Sequence, residues 1–163
     1  MRPDLVRSAS LISTWSSTRR EEHIRRWFQA RLTTLELAPI EVFRAFTFWM
    51  SSPTIIDLEP EWQAELEEFF QKNSSAQPAH AYIGHFKADL EHDTYDRLGQ
   101  IRCPTLVVYG DEDQITLPRY NQAVAEAIPG ARTNVISGAG HLAWVERGAE
   151  VNAAIDEFLS GIK

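Results

Sequence analysis

Two short stretches hold the residues best placed for acid–base chemistry. Gly110-Asp111-Glu112-Asp113-Gln114-Ile115-Thr116 follows directly on the β-branched run Thr105-Leu106-Val107-Val108-Tyr109. Its carboxylates therefore sit at the C-terminal end of a strand, where open α/β sheets place ligand sites. Ser137-Gly138-Ala139-Gly140-His141 follows the next β-like run, Arg132 to Ile136, in the same way. Its small residues present the imidazole on a thin loop at the same edge. The separation of Asp113 and His141 is filled by one helix and one strand, which brings the two loops side by side. A carboxylate that holds a neutral imidazole in one tautomer is the base half of a nucleophile, histidine and acid triad. Taken alone, acidic residues in a strand-to-helix loop also suit the first turn of the next helix. It is the pairing with His141 that points to chemistry.

Other candidates carry less. His85, Asp89 and His92 fall on one face if Ala79 to Glu91 is a helix, a spacing that could hold a metal but equally makes a solvated polar face opposite Tyr82, Ile83, Phe86 and Leu90. Cys103 precedes Pro104 where a small buried residue is expected, with no neighbouring His or second Cys to activate it. Trp27, Phe28, Phe43, Phe46, Phe48 and Trp49 could line an apolar pocket, although most should be core.

The elements that must position these residues follow from periodicity. Leu5 to Ser13 reads as a core strand. From about Arg19 to Leu90 the spacing is helical: Ile24, Trp27, Phe28, Arg31, Leu32 and Leu35 form one stripe. Pro39 opens a second helix carrying Ile40, Val42, Phe43, Phe46, Trp49 and Met50, and further helices follow Pro60 and Pro78. Thr105 to Tyr109 is a central parallel strand. Tyr120, Ala123, Val124, Ala127 and Ile128 give a helix ended by Pro129-Gly130, Arg132 to Ile136 a strand, and Val151, Ile155, Phe158, Leu159 and Ile162 a last helix. The order strand, helical block, strand, helix, strand, helix predicts an α/β fold: three parallel strands with helices, and an all-helical insertion.

These features resemble the α/β-hydrolase family, whose chains place the acid after the penultimate strand and the histidine after the last. The matching text is Arg97 to Thr116, Ile128-Pro129-Gly130-Ala131, and Gly138-Ala139-Gly140-His141-Leu142-Ala143-Trp144-Val145-Glu146. The resemblance implies Asp113, two positions before an aliphatic residue, as the acid in preference to Asp111, and His141 as the histidine. It implies a loop hydrogen-bonding role for Glu146; Arg147-Gly148 after it departs from the common pattern. It also divides the chain into a core strand leading to the cap (1–18), a helical cap (19–96) and a C-terminal core segment bearing the acid and histidine loops (97–163).

The family's nucleophile elbow, Gly-x-Ser-x-Gly, does not occur in these residues. The resemblance places that elbow, and one oxyanion-hole donor, ahead of the strand at Leu5. Ser137 shares the histidine's own loop and lacks a strand-to-helix turn, so it is a poor substitute. Loss of such a nucleophile costs about 10⁶ in turnover. The expectation is a chain shortened at its N-terminus, nearly inert alone, with a first strand whose open edge drives association with the absent segment or with another copy.

The cap and the Leu98 to Pro104 run look most like enol-lactonases and related carboxylic-ester hydrolases. The implied reaction is Ser-His-Asp hydrolysis of a small apolar ester or lactone, with no cofactor. Two rivals stand beside it: a non-catalytic ligand-binding or interaction module, and a carbon–carbon bond hydrolase on the same fold. Composition agrees with a soluble protein: 163 residues, 44% hydrophobic and 24% charged. The net charge of −7 disfavours nucleic acid and anionic membranes as partners. No apolar run approaches the roughly 18 residues of a membrane span, the first residues lack the uninterrupted apolar segment of a secretory signal, and a single cysteine builds no disulfide framework. A cytoplasmic location is expected.

Overall fold

The computed structural model describes residues 3–35, 48–73 and 79–162. After a 3₁₀ turn, Pro3–Leu5, come strand β1 (Ala9–Ile12), helices α1 (Glu22–Leu35), α2 (Pro53–Leu58), α3 (Trp62–Asn73) and α4 (Ala79–Glu91), and a second 3₁₀ turn, Tyr95–Gln100. Strand β2 (Thr105–Gly110), helix α5 (Pro118–Ala127), strand β3 (Arg132–Ile136) and helices α6 (Ala143–Glu146) and α7 (Gly148–Ser160) complete it. The three strands form one parallel sheet in the order β1-β2-β3, as the pattern of elements predicts.

Strand β2 is buried along its whole length, which is why its sequence is a continuous apolar run rather than an alternating one. Its side chains alternate between two helical layers. Leu106 and Val108 pack with Ile136, Val151 and Phe158, on the face covered by α7. Val107 and Tyr109 pack with Leu98, Val124, Ala125 and Ile128, on the face covered by α5. A third cluster joins Ile24, Phe28 and Tyr120, with Trp15, Trp27, Phe86, Leu90 and Leu117 around it. This cluster seats α1 and α4 beside the N-terminal turn of α5.

Two expectations need correction. Strand β1 is shorter than Leu5 to Ser13, because its ladder with β2 begins at Ala9 opposite Thr105 and residues before it have no partner strand. Leu5 and Val6 are accordingly exposed. Cys103 is half-buried rather than buried. The helix read from Pro39 to Met50 falls mostly on residues outside those described, and so do Phe43 and Phe46.

The segment between β1 and β2 leaves and returns at one place. Ser17 bridges Asp93 in antiparallel fashion, Thr18 N–H donates to His92 O at 3.1 Å, and Thr94 N–H donates to Ser16 O at 2.7 Å. The described helices of that segment, α1 to α4, are therefore tethered to the sheet at the C-terminal end of β1, the same edge that carries the loops after β2 and β3.

Candidate active site

Gly110 ends β2 against the loop after β3, and a Cβ there would lie 1.9 Å from Ala139 O. Only glycine allows the two strand-exit loops to pack this closely. We expect Gly110→Ala to destabilise the protein by about 3 kcal/mol, the upper part of the overpacking range, because the obstruction is backbone. Equilibrium urea unfolding checks this; a loss under about 1 kcal/mol would show that the loops can separate freely.

Beyond Gly110 the chain turns so that Asp113 is buried, 1% exposed. Its Oδ1 accepts from Ile115 N–H (2.8 Å) and Thr116 N–H (2.9 Å), and its Oδ2 accepts from the Thr116 hydroxyl (2.7 Å). The same Oδ2 lies 3.0 Å from His141 Nδ1. A buried carboxylate is tolerable only when its lone pairs are satisfied, and here four donors do so. With Nδ1 engaged, no described residue bonds His141 Nε2. Trp144 meets the imidazole edge-on, with ring centroids 6.1 Å apart.

Asp111 has a different place. It is exposed and accepts from the Ser137 hydroxyl (3.1 Å) and Gly138 N–H (2.7 Å). Of the two aspartates, the structure brings Asp113 to His141, and Asp111 and Ser137 bind each other. Glu146 accepts from Gly140 N–H (2.8 Å) and Ser52 N–H (3.1 Å), the loop hydrogen-bonding expected of it. Burial pushes its carboxyl above the ordinary range, against the pull of those donors and of Arg147.

Three members of the arrangement, Thr116, Asn121 and Glu112, carry little mark of their roles in the sequence. Thr116 fixes Asp113 from three residues downstream, a local side-chain-to-backbone pattern that the Asp-x-x-Thr spacing could have suggested. Asn121, fully buried, accepts from Thr14 N–H (2.8 Å) and donates to Thr116 O (2.8 Å), tying the loop after β1 to the acid loop. A polar residue on the buried face of α5 was its only signal. Glu112 accepts from Thr54 N–H (2.9 Å) and from its hydroxyl, contacts across 58 positions that no local pattern announces.

The remaining candidates lie elsewhere. Trp27 and Phe28 belong to the α1–α4 cluster, with ring centroids 5.2 Å apart. Phe48 and Trp49 are nearly half exposed. Among the described residues no group of three His, Cys, Asp or Glu side chains is arranged to hold a metal ion. His92 packs edge-on against Trp15, and His85 is exposed. No described helix is long and apolar enough to cross a membrane.

An acid and a histidine on adjacent strand-exit loops of a parallel sheet define the class to which comparison can be made. Residues 1–147 match the family model of the alpha/beta hydrolase fold, and the chain belongs to that family. Its curated relatives include RutD of Caulobacter sp. (strain K31), 28% identical over 98% of this chain and 58% of the relative. Solved structures similar to it include MGS-M2, an alpha/beta hydrolase enzyme from a Medee basin deep-sea metagenome library, with a TM-score of 0.87 at 18% identity over 99% of this chain and 58% of that one. The enol-lactonase from Burkholderia xenovorans LB400 has a TM-score of 0.77 at 19% identity, over 96% of this chain and 57% of that one. The chain thus spans under three fifths of the length of these relatives.

Proposed function

We propose that this chain supplies the acid and histidine of a Ser-His-Asp hydrolase acting on a small carboxylic ester or lactone, with the serine carried on a segment outside these 163 residues. The observation that carries the reading is the buried Asp113 Oδ2–His141 Nδ1 contact at 3.0 Å. Asp113 holds the proton on Nδ1, which leaves Nε2 as an acceptor. His141 then takes the proton of an incoming serine hydroxyl as the serine attacks the acyl carbon. The imidazolium so formed, stabilised by Asp113, returns that proton to the departing alkoxide. A water activated in the same way releases the acid. The described helices α1 to α4 serve as a cap over this edge of the sheet.

The names of structural neighbours, an enol-lactonase among them, support the substrate class. The test is the coding sequence upstream of Met1 together with an assay. We expect Gly-x-Ser-x-Gly about ten to thirty residues ahead of Leu5 and hydrolysis of short acyl esters by the longer product. An intact upstream reading frame without that motif would sink the proposal. A ligand-binding module without turnover is the rival outcome of this assay. Such a protein would bind apolar esters and leave them unchanged.

A further inference from the structure

Residues 50–54 form a strap across both loops of the candidate site. Leu142 N–H donates to Met50 O at 3.1 Å, and the Ser52 hydroxyl donates to Gly138 O at 3.0 Å. Gly140 lies so near the strap that a Cβ on it would fall 2.5 Å from Ser52 N. Ser51 and Ser52 are almost wholly buried. Two carboxylates complete the contact. Glu146, in the short helix after His141, takes Ser52 N–H on Oε1 and Gly140 N–H on Oε2. Glu112, next to Asp113 in the chain, takes Thr54 N–H on Oε2 and the Thr54 hydroxyl on Oε1.

One carboxylate thus joins the strap to the acid loop and the other joins it to the histidine loop. We propose that Glu112 and Glu146 are positioning residues that clasp residues 50–54 and thereby set the pose of His141 against Asp113. The purpose of the clasp rests on the hydrolase reading. Its test does not, because it is read on the imidazole without turnover.

The two carboxylates differ in a way that makes the idea testable. Glu146 faces two N–H donors, and only a carboxylate offers an oxygen to each; a glutamine amide would set its NH₂ against one of them. Glu112 faces one N–H and one hydroxyl. A hydroxyl accepts as readily as it donates, so an amide at that position satisfies both partners.

NMR of the ¹⁵N-labelled protein decides. We expect Glu146→Gln to speed hydrogen exchange at Ser52 and Gly140 about tenfold to a hundredfold, the worth of one charge-assisted bond. It should also broaden or abolish the downfield Nδ1 proton signal of His141. Glu112→Gln should leave both signals as in the wild type. An unchanged His141 signal in Glu146→Gln, with the two amides freed, would overturn the proposal. Should that variant fail to fold, native-state exchange of the wild type takes its place. The Ser52, Thr54, Gly140 and Leu142 amides are expected to open together, and strap amides that exchange well before Gly140 and Leu142 would refute the clasp. Absence of ester hydrolysis would leave these signals untouched and count against the hydrolase reading alone.

Discussion

Asp113→Asn is expected to lower kcat for a short acyl ester about 10⁴-fold in a longer product bearing the proposed serine, with the fold retained. The asparagine carbonyl can still accept from Ile115 N–H and Thr116 N–H, as Oδ1 does at 2.8 and 2.9 Å. The change falls on the other oxygen. An NH₂ there faces His141 Nδ1, so the imidazole must turn that nitrogen into an acceptor and carry its proton on Nε2. In that tautomer it cannot take the serine proton. The Thr116 hydroxyl, which now donates to Oδ2 at 2.7 Å, can rotate to accept, and this limits the cost to stability. Steady-state kinetics beside thermal melting separates the two effects. A loss under tenfold with an intact fold would remove Asp113 from the mechanism.

Glu21→Gln is expected to stabilise the protein at alkaline pH by up to about 3 kcal/mol. Glu21 is 9% exposed, and its Oε2 has no hydrogen-bond partner among the described residues. Burial pushes its carboxyl up from 4.5 to about 7, against the opposing pull of Arg119. The folded state therefore holds this proton more tightly than the unfolded chain does. The associated stability is fully present below about 4.5 and is lost as pH rises through about 7. At 1.36 kcal/mol per unit the whole window is worth about 3 kcal/mol. An amide at this position carries no charge to bury, so the variant should match the wild type near pH 4 and exceed it near pH 8. Urea midpoints at the two pH values check the sign, and equal pH dependence in the two proteins would contradict it.

What could be read from the sequence was what local pattern controls. The Thr105 to Tyr109 run is apolar throughout because β2 is central and covered on both faces, and such a strand leaves a strong mark. The meeting of Asp113 and His141 was legible because each lies on the loop that leaves a strand, and two such loops one helix and one strand apart run side by side. Strand β1 was read too long because its end is set by Thr105 on a distant segment, not by its own residues. Glu112, Asn121 and the Ser52–Glu146 contact escaped notice for the same reason: their partners lie 58, 107 and 94 positions away. Buried polar ties of this kind specify how segments dock, and no periodicity encodes them.

The central claim is that Asp113 and His141 form the acid–base half of a site whose serine lies outside residues 1–163. Fluorophosphonate labelling followed by mass-spectrometric mapping tests it most directly, applied to the 163-residue chain, to the longer translation product and to its His141→Ala variant. The account predicts no labelled serine within residues 1–163, one labelled serine upstream of them, and loss of that labelling when His141 is removed. Labelling of Ser137 or any other serine of this chain, or upstream labelling indifferent to His141, would contradict it.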